Sequence, residues 1–195
     1  MTGLPNLVGW RAMILHRPGD EGIDRMVRQL GLLGLGVQVQ WQPLDLAATP
    51  ADIAFVDADQ GWCGLLPWRQ SAAPLPVVAL LQSEAPGRIA WALGVGAGAI
   101  LAKPVAASAI YPATVMAICV HRERASHAEQ RTVLEERIRL RPLVHGVVRA
   151  IMSGQHLDED AAYRALRLAA MARRITMEQA AAEILAGRVA LPEAG

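Results

Sequence analysis

Five short apolar runs separated by helical periodicity dominate the first half of the chain, at residues 12–15, 37–41, 53–56, 77–81 and 99–101. Each is too short for a core helix and rich in Val, Ile, Leu or Ala, the pattern of a strand covered on both faces. Between the first two runs, Ile23, Met26, Val27, Leu30 and Leu33 recur at three- and four-residue steps, and residues 86–93 form a second amphipathic stretch. Strand and helix patterns in alternation predict a parallel sheet with helices packed on it. The expected fold class is α/β, flavodoxin-like, with any ligand crevice beyond the carboxyl ends of the strands.

No strand pattern follows Pro104. Residues 106–150 read as a long helical tract in which Val115, Met116, Ile118, Cys119 and Val120 face a core and Leu134, Ile138 and Val144 resume an apolar pattern later. Residues 121–131 are polar apart from Ala125 and Ala128, so a helix there buries little by itself and calls for a partner. A two-stranded coiled coil, hence a homodimer through the long helix, is the expected solution, although heptad positions Val120, His127, Leu134 and Arg141 make a poor seam. Pro142 removes a helical hydrogen bond and disfavours helix at Arg141, which predicts a kink or break between Leu140 and Leu143. Three short helices should follow: residues 143–152, ended by Ser153-Gly154; a second from an Asp158 cap to Arg173; and a third over 177–185 from a Thr176 cap, with Glu178 and Glu183 on its surface. The expected division is an α/β domain over 1–104, a long helix over 105–141, a helical module over 142–187 and a tail over 188–195.

With 195 residues and 53% hydrophobic content, the chain can fill one good core and append a smaller module. The net charge of +1 conceals an uneven layout: residues 121–174 carry eleven Arg against seven acids, while residues 1–120 carry seven basic and eight acidic side chains. A cationic excess confined to one segment suits a polyanionic partner, though a solvated charged helix would look the same. Cys63 and Cys119 lack metal or redox spacing and read as reduced thiols. No signal-peptide pattern and no apolar run of the ~18 residues needed to cross a bilayer is present, so a cytoplasmic protein without membrane contact is expected.

Little here suggests catalysis. His16, His121, His127, His145 and His156 are scattered, and the six-residue spacing of His121 and His127 does not put two ligands on one helix face, so neither metal nor other cofactor is expected. The run Gly94-Val95-Gly96-Ala97-Gly98 lies between a helix and a strand, where it ends the helix; a phosphate cradle would follow a strand. Trp62 and Trp68 lie in or beside the turn-rich loop 61–67, near the expected crevice, where they would either anchor an interface or fill the core.

The segment from Leu157 to Arg174 starts with an acidic turn and then places Leu166, Ala169, Ala170 and Arg173 on one helix face. Its Ala162, Tyr163, Leu166, Arg167, Ala170 and Met171 resemble the core signature of the ANTAR domain, a three-helix RNA-binding module at the C-terminus of bacterial transcription antiterminators. The resemblance implies RNA binding, for which Arg149, Arg164, Arg167, Arg173 and Arg174 would supply cations and Tyr163 a stacking surface; alternatively Tyr163 and Arg167 pack and pair within the module. Where that family usually has Ala-Lys-Gly in the first helix, this chain has Val147-Val148-Arg149, so either the cation has shifted by one residue or contact relies on the second helix.

The α/β half resembles the receiver domain of response regulators. Asp57 follows the third strand as the phosphoacceptor does, and Lys103-Pro104 follows the fifth. His16-Arg17-Pro18 stands where a receiver has two magnesium-binding carboxylates, and Leu81 where its fourth strand ends in a hydroxyl residue. Without carboxylates a divalent cation is poorly held, so Asp57 and Lys103 are expected to be an inactive phosphoacceptor pair, with Asp57 a partly solvated loop residue beside Lys103 or Arg17. Asp20, Glu21 and Asp24 open a helix, where acids suit the dipole without metal. Receiver-like domain, long helix and ANTAR module together are similar to the amide-responsive antiterminators, and Gln40-Trp41-Gln42-Pro43, Pro104 and Pro112 point to that branch over the nitrate-responsive one. This resemblance implies a non-enzymatic regulator of an amide or nitrogen-metabolism operon. An amide-sensing negative regulator resembling periplasmic binding proteins would hold it, and once freed it would bind paired hairpins of a leader mRNA. Two other readings are a protein-interaction subunit with a degenerate ANTAR module and a response regulator phosphorylated at Asp57.

Overall fold

A computed structural model describes residues 4–17, 21–62, 64–69 and 72–192, and divides into two compact units, Met1–Ser126 and His127–Gly195. The first unit is built on five parallel strands, β1 (Arg11–Leu15), β2 (Gly36–Gln40), β3 (Ile53–Asp57), β4 (Val77–Leu81) and β5 (Ala99–Ala102), in the order β2-β1-β3-β4-β5. All five coincide with the apolar runs to within a residue or so at either end. β3 and β4 are buried at every position, whereas β2, an edge strand with the polar-alternating sequence Gly-Val-Gln-Val-Gln, is not.

Helix α1 (Glu21–Leu32) and the first turns of α3 (Ala107–Gln155) cover one face of the sheet, where Met26, Leu30, Ile110, Ala117 and Ile118 meet Ile14, Phe55 and Val78. The other face is closed by α2 (Pro86–Gly94) and by irregular chain carrying Leu44, Leu65, Leu66 and Leu75. Trp68 donates its indole N–H to the Val95 carbonyl at 2.9 Å, and Trp91 lies against Gly61 so closely that a Cβ there would fall 2.3 Å from its ring. Most of the tryptophan surface is thus packing, with Trp62 the more exposed member at 39%. Gly98 has a structural role of the same kind, because a Cβ on it would come within 2.9 Å of the Ala117 backbone.

The second unit contains the C-terminal part of α3, with α4 (Glu159–Ala172) and α5 (Met177–Leu185). Val144, Val147, Val148 and Ile151 from α3 pack with Ala162, Leu166 and Ala170 from α4 and Ala180 and Ala181 from α5. Asp158 caps α4 by accepting from the Ala161 N–H at 2.7 Å, and Thr176 and Gln179 form a reciprocal capping box on α5. Glu183, expected on the surface of α5, is one-third exposed and paired with Arg173.

The expected break at Pro142 is absent: α3 runs unbroken from Ala107 to Gln155, and also continues past Ser153-Gly154. Pro142 sits in an exposed turn, and the carbonyl it leaves without an amide partner is that of Ile138, itself 71% exposed, where water can substitute. The helix ends at His156, which adopts φ 52°.

Candidate functional site

The strand order sets β1 beside β3, and the register Leu15↔Val56 puts His16 and Asp57 side by side at the carboxyl end of the sheet. Asp57 is fully buried, which corrects the expectation of a partly solvated loop residue. Its Oδ1 accepts from Lys103 Nζ at 3.0 Å and from the Asp59 N–H at 3.0 Å, and its Oδ2 lies 3.2 Å from His16 Nε2. Arg17 is not a partner: its guanidinium sits 5.8 Å from the Trp41 ring centroid instead.

His16 Nδ1 lies 2.7 Å from the Arg17 carbonyl oxygen, which can only accept, so Nδ1 carries a hydrogen. Lys103 also reaches Asp59 Oδ2 at 2.8 Å, and Asp59 accepts from the Gln82 and Ser83 amides at 2.8 and 2.9 Å. Burial works to lower the Lys103 pKa, but its bonds to Asp59 and Asp57 outweigh that and hold it above the usual lysine value. Burial likewise tends to raise Asp59, and Lys103 with the two amides brings it below the usual carboxylate value. The result is a cluster of two carboxylates, an ammonium and an imidazole in mutual contact.

A concavity of 360 Å³ opens beside this cluster, with Arg25, Gln60, Gln82 and Pro104 among its walls. Among the described residues no group of three His, Cys, Asp or Glu side chains is arranged to hold a metal ion. Asp20, the Glu21 side chain and Cys63 lie outside the described residues, and Asp24 is exposed. His16 and Asp59 were not assigned as partners of Asp57 from the sequence. The Asp-x-Asp spacing at the strand end was the available sign for Asp59, while His16 needed knowledge of strand order.

In the second unit, Arg149 on α3 and Arg164 and Arg167 on α4 are exposed, as are Arg173 and Arg174 after it, and Tyr163 is 47% exposed. Tyr163 is thus about half-covered by the module, and Arg167 is in no ion pair with a described residue. Arg173 differs: its guanidinium rests on Glu183 Oε2, a shielded oxygen with no other partner among the described residues. Arg174 holds a left-handed φ of 56°, a conformation that favours glycine. Val148 is buried at 4%, so the side chain at the family's lysine position faces the core and Arg149 supplies the exposed cation.

Among the described residues no helix is long and apolar enough to cross a membrane. The family profile described as "AmiR, N-terminal" matches residues 10–118, over half the chain, and the ANTAR domain profile matches residues 132–185. No curated protein sequence matches. The fold is similar to the response regulator StyR at 13% identity, covering 91% of this chain and 100% of that one with a TM-score of 0.52. It is also similar to full-length FixJ from B. japonicum, at 16% identity, 92% and 89% coverage and a TM-score of 0.47. A receiver domain of ShkA, solved with c-di-GMP, shares 22% identity over 57% of this chain and 94% of that one, at a TM-score of 0.42. A receiver-like parallel sheet, a long helix and an RNA-binding helical module thus occur in one chain, which belongs to the AmiR-like ANTAR transcription antitermination regulators.

Proposed function

We propose that this RNA-binding antiterminator regulates an amide or nitrogen-metabolism operon in the cytoplasm and is controlled by a ligand-sensing protein partner, with no phosphorylation step. The observation that carries the reading is the buried Asp57, whose Oδ2 faces His16 where a phosphorylatable receiver would hold a cation. Phosphoryl transfer to a carboxylate requires that oxygen to be free and a divalent ion to neutralise the transferring group. Here one oxygen is bonded to lysine and an amide, and the other faces imidazole. Control through association fits such a centre. The partner would be an amide-sensing protein of the periplasmic-binding type, released when its ligand binds.

The chain is proposed to act as a homodimer through the polar part of α3, whose residues 121–136 are largely exposed and include Val133 at 45% exposure. The working division is the receiver-like domain over 1–104, the long helix over 105–141 and the RNA-binding module over 142–187, where Arg149, Tyr163, Arg164, Arg167, Arg173 and Arg174 contact paired hairpins of a leader transcript. Anisotropy titrations of stem-loop RNA at several salt concentrations test this. Arg164→Ala with Arg167→Ala should weaken binding and flatten the log-log salt slope by about 0.7–0.9 per lost phosphate contact. Unchanged affinity and slope would remove α4 from the interface and favour the protein-interaction reading.

A further inference from the structure

A groove of 350 Å³ in the second unit is lined by the exposed ring of Tyr163 and by the apolar side chains Leu134, Ile138, Val144 and Met177. Its basic lining comes from one helix: Arg137, Arg141 and His145 of α3 recur at four-residue steps, and Arg149 continues the row. Four residues of helix advance about 6 Å and about 40° around the axis, so these side chains form one slowly turning stripe. All four residues are exposed. Arg137 and Arg141 make no ion pair with a described residue, whereas Arg131 and Arg173 each have a carboxylate. Glu178, from the first turn of α5, is the acid in the groove.

An aromatic face beside apolar side chains, a row of basic side chains and one acceptor carboxylate is the combination that single-stranded nucleic acid recognition requires. A base stacks on the ring whatever its sequence, cations follow the backbone, and an acceptor selects among exocyclic amino groups. The volume lies within the ~300–1,000 Å³ usual for small-ligand sites, large enough for a planar heterocycle. A second copy of α3 laid parallel along this face would bring Arg137 and Arg141 against their own counterparts, a like-charge arrangement, while a polyanion would complement them.

Resting on the RNA-binding reading, we infer that this groove is a base pocket: one unpaired nucleotide of the RNA loop leaves its stack and lies on Tyr163. Arg137 and Arg141 hold the adjoining phosphates, and Glu178 accepts from an amino group on the base edge. The pocket distinguishes loop from stem, since a base within a duplex cannot enter it.

The test uses the full chain and a pool of stem-loop RNAs with randomised loops, enriched on the parent protein. A 2-aminopurine is placed at each loop position of the enriched RNA, and the blunt duplex of the same stem serves as control. Tyr163→Ala should weaken loop binding about tenfold, leave duplex binding unchanged and abolish the fluorescence change at one loop position, while Tyr163→Phe should behave as the parent. Arg137→Gln with Arg141→Gln should weaken binding and flatten its salt dependence. Circular dichroism checks the helices, and light scattering checks the mass of each variant. If the parent enriches no RNA, the RNA-binding reading itself falls and the pocket with it. If the parent binds but Tyr163→Ala binds loops equally well, or loses duplex in the same proportion, the pocket alone is overturned. A change of oligomeric mass in these variants would instead mark the groove as an interface between copies and also overturn the inference.

Discussion

Replacing Asp57 by alanine should destabilise the first unit severely, and the sign of that effect separates this centre from a magnesium-binding receiver. In a pocket of clustered carboxylates, removing one relieves like-charge repulsion. Here Asp57 is fully buried and contacts Lys103 and His16, which are themselves 13% and 6% exposed at the side chain. Its loss leaves His16 facing an empty position and also frees the Asp59 and Gln60 amides, which Oδ1 accepts at 3.0 and 3.4 Å. Breaking a buried ion pair from one side costs about 3–5 kcal/mol, and because Lys103 keeps its contact with Asp59 the lower end applies here. At ~4 °C per kcal/mol for a unit of this size, the lower end of that range lowers Tm by about 12 °C. Asp57→Asn keeps an oxygen for the amides but not the charge and should fall between alanine and the parent. Urea unfolding followed by tryptophan fluorescence suits the measurement, because all five tryptophans lie before residue 127 and report on the first unit alone. An alanine variant within about 0.5 kcal/mol of the parent, the range of an ordinary surface change, would refute the reasoning, as would a stabilised one.

Treatment with acetyl phosphate and magnesium should leave the protein unmodified, and a phosphoaspartate at Asp57 seen by intact mass would overturn the proposed control. Because Asp59 is held below its usual pKa, its contribution is present above about pH 4 and lost as pH falls through the folded value; the raised Lys103 contributes below about pH 10.5 and is lost as pH rises through its own. Stability of the first unit should therefore decline at both ends of that window, and a urea midpoint that stays flat on acidification would count against the cluster. Arg174→Gly should stabilise the second unit by about 1 kcal/mol by relieving the left-handed backbone, while weakening RNA binding; thermal melts and anisotropy check the two effects separately. Arg173→Ala should lower the melting temperature of that unit by uncovering Glu183, so it is a poor choice for testing RNA contact alone.

Short buried strands proved easy to find in the sequence, since residues such as 53–56 and 77–81 are apolar throughout and bounded by polar chain. The caps were equally legible, because Asp158 and Thr176 act on amides three residues away. Pro142 misled for the opposite reason: a local rule predicted a break, and an exposed turn that water can satisfy tolerated the proline. Asp57 was found by its place after a strand, but its burial depends on β1 lying next to β3 and on a histidine forty-one positions upstream, which no local pattern encodes. The pairing of Arg173 with Glu183 likewise crosses from one helix end to another. By contrast, the four-residue steps of Arg137, Arg141 and His145 were present in the sequence; what they lacked was the knowledge that Tyr163 and Met177 come to lie beside them.

The closure of Asp57 by its neighbours has a consequence for timing. A phosphorylated receiver carries a record of its stimulus in a covalent bond, and its signal lasts as long as that bond survives hydrolysis. Under the proposed control, with no phosphorylation at Asp57, there is no bond to store, and the memory of the stimulus extends no further than the lifetime of a complex. Such a regulator would follow the inducer concentration at the rate its partner dissociates and rebinds, and would need no phosphatase to reset it.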